Sequence, residues 1–155
     1  MQPNISVNES KTILVIDDSE ADVELIKLVF ARAPYPISLD IVENGMQALD
    51  YVFKRGDYVD KNSPDLILLD LNIPGIDGFE VLNVIKTSDN YRQIPIIILT
   101  SSDNSVDIFR SYQLYANCYL QKPSHFDKLT KMLELLELFW FNTSLLPPRV
   151  GNNIN

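Results

Sequence analysis

The stretch DLILLDLNIPG, residues 65–75, decides the fold: four consecutive aliphatic residues, Leu66 to Leu69, run into Asp70, and a Pro74-Gly75 turn follows. An aliphatic run with no polar alternation suits a strand covered on both faces, as in the centre of a parallel sheet. The same order, apolar run then polar residue, recurs on either side. Ile13 to Ile16 precede Asp17-Asp18, Ile96 to Leu99 precede Thr100, and Tyr119-Leu120 precede Lys122. In a parallel sheet flanked by helices, the carboxyl ends of neighbouring strands converge on one crevice, where such folds keep their chemistry.

Helical signals fill the intervals. The spacing predicts helices over about 19–33, 46–54, 78–87 and 105–115, and a fifth starting after Ser124 and continuing past Leu138. Ser19 with Asp22, and Ser124 with Asp127, have the S-x-x-D pattern of capping boxes. Pro34 and Pro36 stop the first helix. Strands are predicted over 12–16, 37–42, 65–69, 94–99 and 117–120, with a polar loop over 55–63. The second and fifth are mixed in polarity and suit the edges. The result is an α/β doubly wound five-stranded parallel sheet in the order 2-1-3-4-5.

At 155 residues, the chain allows one domain with a sizeable core. Its net charge of −8 argues against a nucleic-acid surface. The lone Cys118 excludes an internal disulfide and reads as a small buried hydrophobe. No apolar run approaches membrane-spanning length, and residues 1–11 lack the pattern of a signal peptide, so a cytoplasmic protein is expected. The expected division is a tail over 1–11, one domain over 12–141 and an extension over 142–155.

The chemistry follows from the residue types. Asp17, Asp18 and Asp70, with the backbone carbonyl of Asn72, suit a hard cation such as Mg²⁺. Counting these three carboxylates, one Mg²⁺ and Lys122, the charges cancel. Asp70, at the end of the central strand, is the candidate nucleophile for an acyl phosphate. Lys122 and the Thr100 hydroxyl would bind the phosphoryl oxygens. Taken singly, an Asp after a strand is a turn or cap, Thr100 a packing residue and Lys122 a solvated charge. Their meeting at one sheet edge is what carries the inference.

The stretches ILVIDDSEAD (13–22), LILLDLNIPGIDGFEVL (66–82), IPIIILTSS (94–102) and CYLQKP (118–123) strongly resemble the receiver domain of two-component response regulators. The intervals fit too, 30 positions from Asp70 to Thr100 and 22 from Thr100 to Lys122. The resemblance implies the flavodoxin-like (βα)5 receiver fold, with Asp70 as phosphoacceptor and Asp17 and Asp18 as metal ligands. It implies Thr100 as switch hydroxyl, Tyr119 as switch aromatic, Lys122 as phosphate-binding lysine and a cis bond before Pro123. The implied partner is a histidine kinase, so the protein is a phosphoacceptor that assists its own phosphorylation and dephosphorylation and turns over no metabolite. A narrower resemblance, to stand-alone response regulators associated with cyanobacterial phytochromes, rests on DDSEADVELIK (17–27), SYQLYANCYLQKP (111–123) and the FWF–LPP tail.

Two other classes share such a sheet. An aspartyl phosphatase wants a second acid two residues after its nucleophile, where this chain has Asn72. A flavodoxin-like cofactor binder wants a hydroxyl- and glycine-rich loop after the first strand, where this chain has Asp17-Asp18. About 15 residues follow the fifth helix, too few for a DNA-binding output module.

The fifth helix carries more apolar surface than one core face needs. Leu129, Leu133, Leu136 and Trp140 make the docking stripe, and Met132, Leu135 and Phe139 a second one, widened by Leu138 and Phe141. Either the tail folds back over its own domain, or a homodimer forms over the fourth helix, fifth strand and fifth helix with Leu135, Leu138, Phe139 and Phe141 in the interface.

Overall fold

The computed structural model describes residues 10–149. Strands β1 (Lys11–Ile16), β2 (Ile37–Val42), β3 (Leu66–Leu69), β4 (Ile96–Thr100) and β5 (Cys118–Gln121) alternate with helices α1 (Glu20–Ala31), α2 (Gly45–Val52), α3 (Gly78–Lys86), α4 (Ser105–Gln113) and α5 (Phe126–Glu137). All neighbouring strands are parallel, in the order β2-β1-β3-β4-β5 expected from the sequence. The continuous aliphatic runs of β1, β3 and β4 are buried on both faces. One layer packs Leu14, Ile16, Ile67, Leu69, Ile96 and Ile98 under α2 and α3. The other packs Ile13, Val15, Leu66, Leu68, Ile97 and Leu99 under α1 and α5.

Register brings the polar residues together. Ile16 pairs with Leu69 and Leu69 with Ile98, so Asp17 and Asp70 leave adjacent strands side by side. The ladder continues past the strand ends, with Asp70 N–H on Ile16 O (2.9 Å) and Lys122 N–H on Thr100 O (2.7 Å). Two glycines permit close approach there. A Cβ on Gly78 would lie 2.6 Å from Leu71 Cα and 2.8 Å from Asp70 O, so only glycine lets α3 start against the Asp70 turn. A Cβ on Gly45 would run into the Ile76 carbonyl oxygen.

Several boundaries differ from expectation for local reasons. Helix α2 begins at Gly45 because Asn44 Oδ1 accepts the Gln47 N–H (2.8 Å). It ends at Val52, and α4 ends at Gln113, where Lys54 (φ 56°) and Tyr115 (φ 69°) turn left-handed soon after. The loop over 55–63 contains a short 3₁₀ turn (Gly56–Tyr58), with Tyr58 tilted on Tyr51. Neither expected capping box closes. Ser19 Oγ accepts the Asp22 N–H (3.4 Å), but the Ser19 N–H turns to Asp17 Oδ1 (2.9 Å). At α5 the cap residue is His125, without a side-chain cap bond, and not Ser124. The described residues contain no cis peptide, so the Lys122–Pro123 bond is trans and not cis as the resemblance implies. The two isomers of such a bond differ by only about 0.5–1 kcal/mol.

Past α5 the chain makes a π-helical turn (Leu138–Thr143) and folds back over its own domain. Phe141 packs edge-on against Phe30 (6.4 Å between centroids) and beside Tyr35, and Tyr35 OH donates to Glu137 Oε1 (2.5 Å). Phe141 thus takes part in packing within its own domain. Farther on, Arg149 Nε and Nη2 donate to Asp65 Oδ1 (3.1 Å) and Oδ2 (2.8 Å), at the amino ends of the strands. Among the described residues, no helix is long and apolar enough to cross a membrane.

Candidate active site at the carboxyl ends of the strands

Asp17, Asp18 and Asp70 each present a carboxylate oxygen, and the three oxygens lie within 4.8 Å of one another. Asp17 and Asp70 are buried and Asp18 is exposed, so the cluster opens to solvent on one side. The turn after β1 lets adjacent Asp17 and Asp18 face one point, as the sequence suggested. Asp70 Oδ1 accepts the Asn72 N–H (3.0 Å), which folds the chain back beside it and leaves Oδ2 for another partner.

That partner is Lys122. Its Nζ lies 2.7 Å from Asp17 Oδ2, 3.0 Å from Asp70 Oδ2 and 2.9 Å from Asp22 Oδ2. Burial alone would lower the lysine pKa, but the hydrogen bonds Nζ donates to Asp17 and Asp22 and the charges of Asp17 and Asp70 outweigh it, and the pKa is held above its ordinary value. Burial raises the Asp17 carboxyl above the usual carboxylate value, opposed by the Lys122 and Ser19 hydrogen bonds. Three carboxylates converging on one ammonium leave negative charge in excess, and a divalent cation at Asp17, Asp18 and Asp70 would relieve it.

Thr100 completes the set. It is fully buried, and its Oγ1 has no hydrogen-bond partner. A buried hydroxyl left without a partner is uncommon and marks a strained or functional position. Here it belongs to the same strand ends as Asp70 and Lys122, where an oxyanion bound to Asp70 would be its natural acceptor.

Tyr119 stands one step further out. Its ring packs against the α2/α3 layer, and its hydroxyl donates to Ser102 O (2.8 Å), two residues past Thr100. That bond ties the ring to the loop between β4 and α4. Cys118 is half-buried, and burial raises its thiol pKa.

Sequence reasoning missed two functional contacts. Asp22 was assigned to a cap, yet its carboxylate accepts from Lys122 Nζ (2.9 Å), a contact across 100 positions that no local pattern signals. Ser102 acts through its backbone carbonyl, which leaves no trace in side-chain chemistry.

Comparison with known proteins agrees with this geometry. The family model for the response regulator receiver domain matches residues 13–134. Response regulator Rcp1 of a Synechocystis species is 40% identical over 140 residues, covering 90% of this chain and 95% of that protein. The crystal structure of the phosphorylated cyanobacterial phytochrome response regulator RcpA superposes with a TM-score of 0.89 at 39% identity, covering 90% of this chain and 100% of that one. The Mn²⁺-bound form of Rcp1 superposes at 0.87 with 40% identity, over 89% of this chain and 99% of that one. The family model that matches most of the chain, and a relative 40% identical along nearly its whole length, show that this chain belongs to the response regulator receiver domain family.

Proposed function

We propose that this chain is a stand-alone, cytoplasmic response regulator that accepts a phosphoryl group on Asp70 from a histidine kinase, and that the kinase is of the phytochrome type. The carrying observation is Lys122 Nζ at 3.0 Å from Asp70 Oδ2, beside a Thr100 hydroxyl that lacks a partner. An aspartyl phosphatase would want an acid at Asn72 and has an amide. The kinase type is supported by the likeness to solved phytochrome and bacteriophytochrome response regulators.

In the reaction, an Asp70 carboxylate oxygen forms a bond to phosphorus as the phosphorus–nitrogen bond of the phosphohistidine breaks, and the imidazole leaves with that electron pair. Lys122 and the Thr100 hydroxyl hold phosphoryl oxygens during the transfer. Asp17, Asp18, Asp70 and the Asn72 carbonyl would hold a Mg²⁺ ion, which when bound would neutralise phosphoryl charge. Asp17 and Asp18 otherwise repel an incoming anion, so labelling is expected only with the metal present. Intact-mass measurement with acetyl phosphate should show one phosphoryl group with Mg²⁺, none after chelation and none in Asp70→Asn. Labelling that persists in Asp70→Asn would sink the assignment.

The phosphoryl group is read through Thr100 and Tyr119. Nearly two added charges draw the Thr100 hydroxyl inward. That strains the Thr100–Ser102 segment, whose carbonyl holds the Tyr119 hydroxyl. The surface of α4, β5 and α5 changes with it. Such a switch needs only a few kcal/mol of differential binding.

The same surface is the proposed homodimer interface. Leu135, Leu138 and Phe139 are 67%, 51% and 52% exposed, a large apolar area for a monomer. Phe109 and Tyr112 of α4 are exposed as well. Isologous twofold pairing is the commonest soluble arrangement. Sedimentation of the wild type is expected to show dimers at about tens of micromolar, strengthened by beryllofluoride. Phe139→Asp should be monomeric, and Thr100→Ala should dimerise without responding to beryllofluoride. A wild type monomeric in both states would rule the interface out.

A further inference from the structure

Lys122 has three carboxylate partners, and two of them are shared with the reaction. An ammonium has three N–H donors, and here they go to Asp17, Asp22 and Asp70 at 2.7, 2.9 and 3.0 Å. Asp17 and Asp70 also belong to the trio of carboxylates grouped as for a divalent cation, and Asp70 is the proposed phosphoacceptor. Phosphorylation consumes the Asp70 carboxylate and passes its donor to the phosphoryl group. Asp22 is the partner left untouched. It stands outside the metal trio, and among the described residues its carboxylate is ion-paired with Lys122 alone.

A divalent cation and an ammonium that share two carboxylates repel each other at short range. The lysine also has somewhere to go. Beside it lies a cleft of about 640 Å³ between the first turn of α1 and the start of α5, lined also by Ser101, Ser124 and Lys128. Lysine is a point charge on a flexible four-carbon stem. Swung into the cleft, the ammonium regains water and no longer faces Asp70. Asp22 borders the same cleft and sits in the first turn of α1, where its backbone N–H donates to Ser19 Oγ. The position of Nζ that satisfies Asp22 at 2.9 Å is the one that keeps it 3.0 Å from Asp70 Oδ2.

We propose that Asp22 is the anchor of Lys122, a positioning residue that keeps the ammonium facing Asp70 while the metal and the phosphoryl group engage the other two carboxylates. This rests on the assignment of Asp70 as phosphoacceptor. The Asp22–Lys122 bond persists through the cycle. The donor that changes acceptor is the one on Asp70, which moves from the carboxylate to a phosphoryl oxygen. Asp22 touches neither the phosphorus nor the metal and acts through the lysine.

The test is a double-mutant cycle on the rate of Asp70 labelling by acetyl phosphate at saturating Mg²⁺. Asp22→Ala should slow labelling about tenfold, less than loss of the lysine itself, because the donor is present but no longer aimed. Asp22→Asn keeps an acceptor without the charge and should fall between, and Asp22→Glu should restore most of the rate. In a Lys122→Met background, Asp22→Ala should cause no further loss, because nothing is left to aim. A merely structural role would slow both backgrounds alike. Thermal melts establish that each variant is folded. A second readout needs no phosphodonor. With Mg²⁺ bound, the two Cε hydrogens of Lys122 should give separate NMR signals in the wild type and merge in Asp22→Ala, as a held side chain is freed. An equal loss in both backgrounds, a loss that extra Mg²⁺ repairs, labelling of Asp22→Ala at or above the wild-type rate, or separate Cε hydrogen signals in Asp22→Ala overturns the proposal and leaves the Asp70 assignment standing. Labelling that persists in Asp70→Asn overturns both.

Discussion

Lys122→Met is expected to slow Mg²⁺-dependent labelling of Asp70 by acetyl phosphate by about two to three orders of magnitude, the usual loss when one preorganised donor is removed from a developing oxyanion. It should also destabilise the domain in the absence of metal by about 3–5 kcal/mol, because buried Asp17 and Asp70 lose their cation. The two effects separate experimentally. Mg²⁺ binds the folded state and replaces part of the lost charge, so it should raise the melting temperature of Lys122→Met more than that of the wild type. The pH dependence follows from the raised lysine pKa. The ammonium's contribution is complete below its unfolded value of 10.5 and is lost as pH rises through the higher folded value. Labelling of Lys122→Met at the wild-type rate would contradict the role given to the lysine.

The second large effect lies at the opposite end of the sheet. Asp65 has a side chain 1% exposed, and accepts from Thr12 N–H (2.8 Å) and from Arg149 Nε and Nη2. Arg149 Nη2 also donates to Ser10 O (2.5 Å), so a residue far along the chain joins the tail to the entry of β1. Arg149→Met strands a buried carboxylate on one remaining backbone bond. The expected cost is about 3 kcal/mol of unfolding free energy, read as a lower denaturant midpoint at unchanged slope. Asp65→Asn combined with Arg149→Met should cost less than the two singles together, since the charge that needs a partner is gone. Phosphoryl labelling should be unaffected, because the pair sits at the amino ends of the strands. Wild-type stability in Arg149→Met would show that the tail contact is worth nothing in solution.

The strands and their order were legible because β1, β3 and β4 are uninterrupted aliphatic runs, a pattern that only burial on both faces explains. The candidate site was legible for a related reason: Asp17 and Asp70 follow those runs, Thr100 ends β4, Lys122 follows the mixed strand β5, and parallel register brings them together. What failed was local pattern matching. The S-x-x-D pattern at Ser19 predicts a reciprocal cap, but Lys122 competes for the Asp22 carboxylate and wins. The same pattern at Ser124 makes no cap bond, because the helix starts one residue later. The Asp65–Arg149 pair spans 84 positions, and nothing local in either residue announces it. Phe141 looked available for a partner because helical spacing says which residues share a stripe, while the π-helical turn after Glu137 redirects it onto Phe30.

The central claim is that phosphate is carried as an acyl phosphate on Asp70, and the most direct measurement is chemical mapping of the modified residue. Protein labelled with acetyl phosphate and Mg²⁺ is reduced with borohydride, which converts an aspartyl phosphate to homoserine, and the peptides are sequenced by mass spectrometry. Homoserine at position 70, and at none of positions 17, 18 and 22, is the predicted result; homoserine at any of those three, or an unmodified Asp70 in labelled protein, would contradict it.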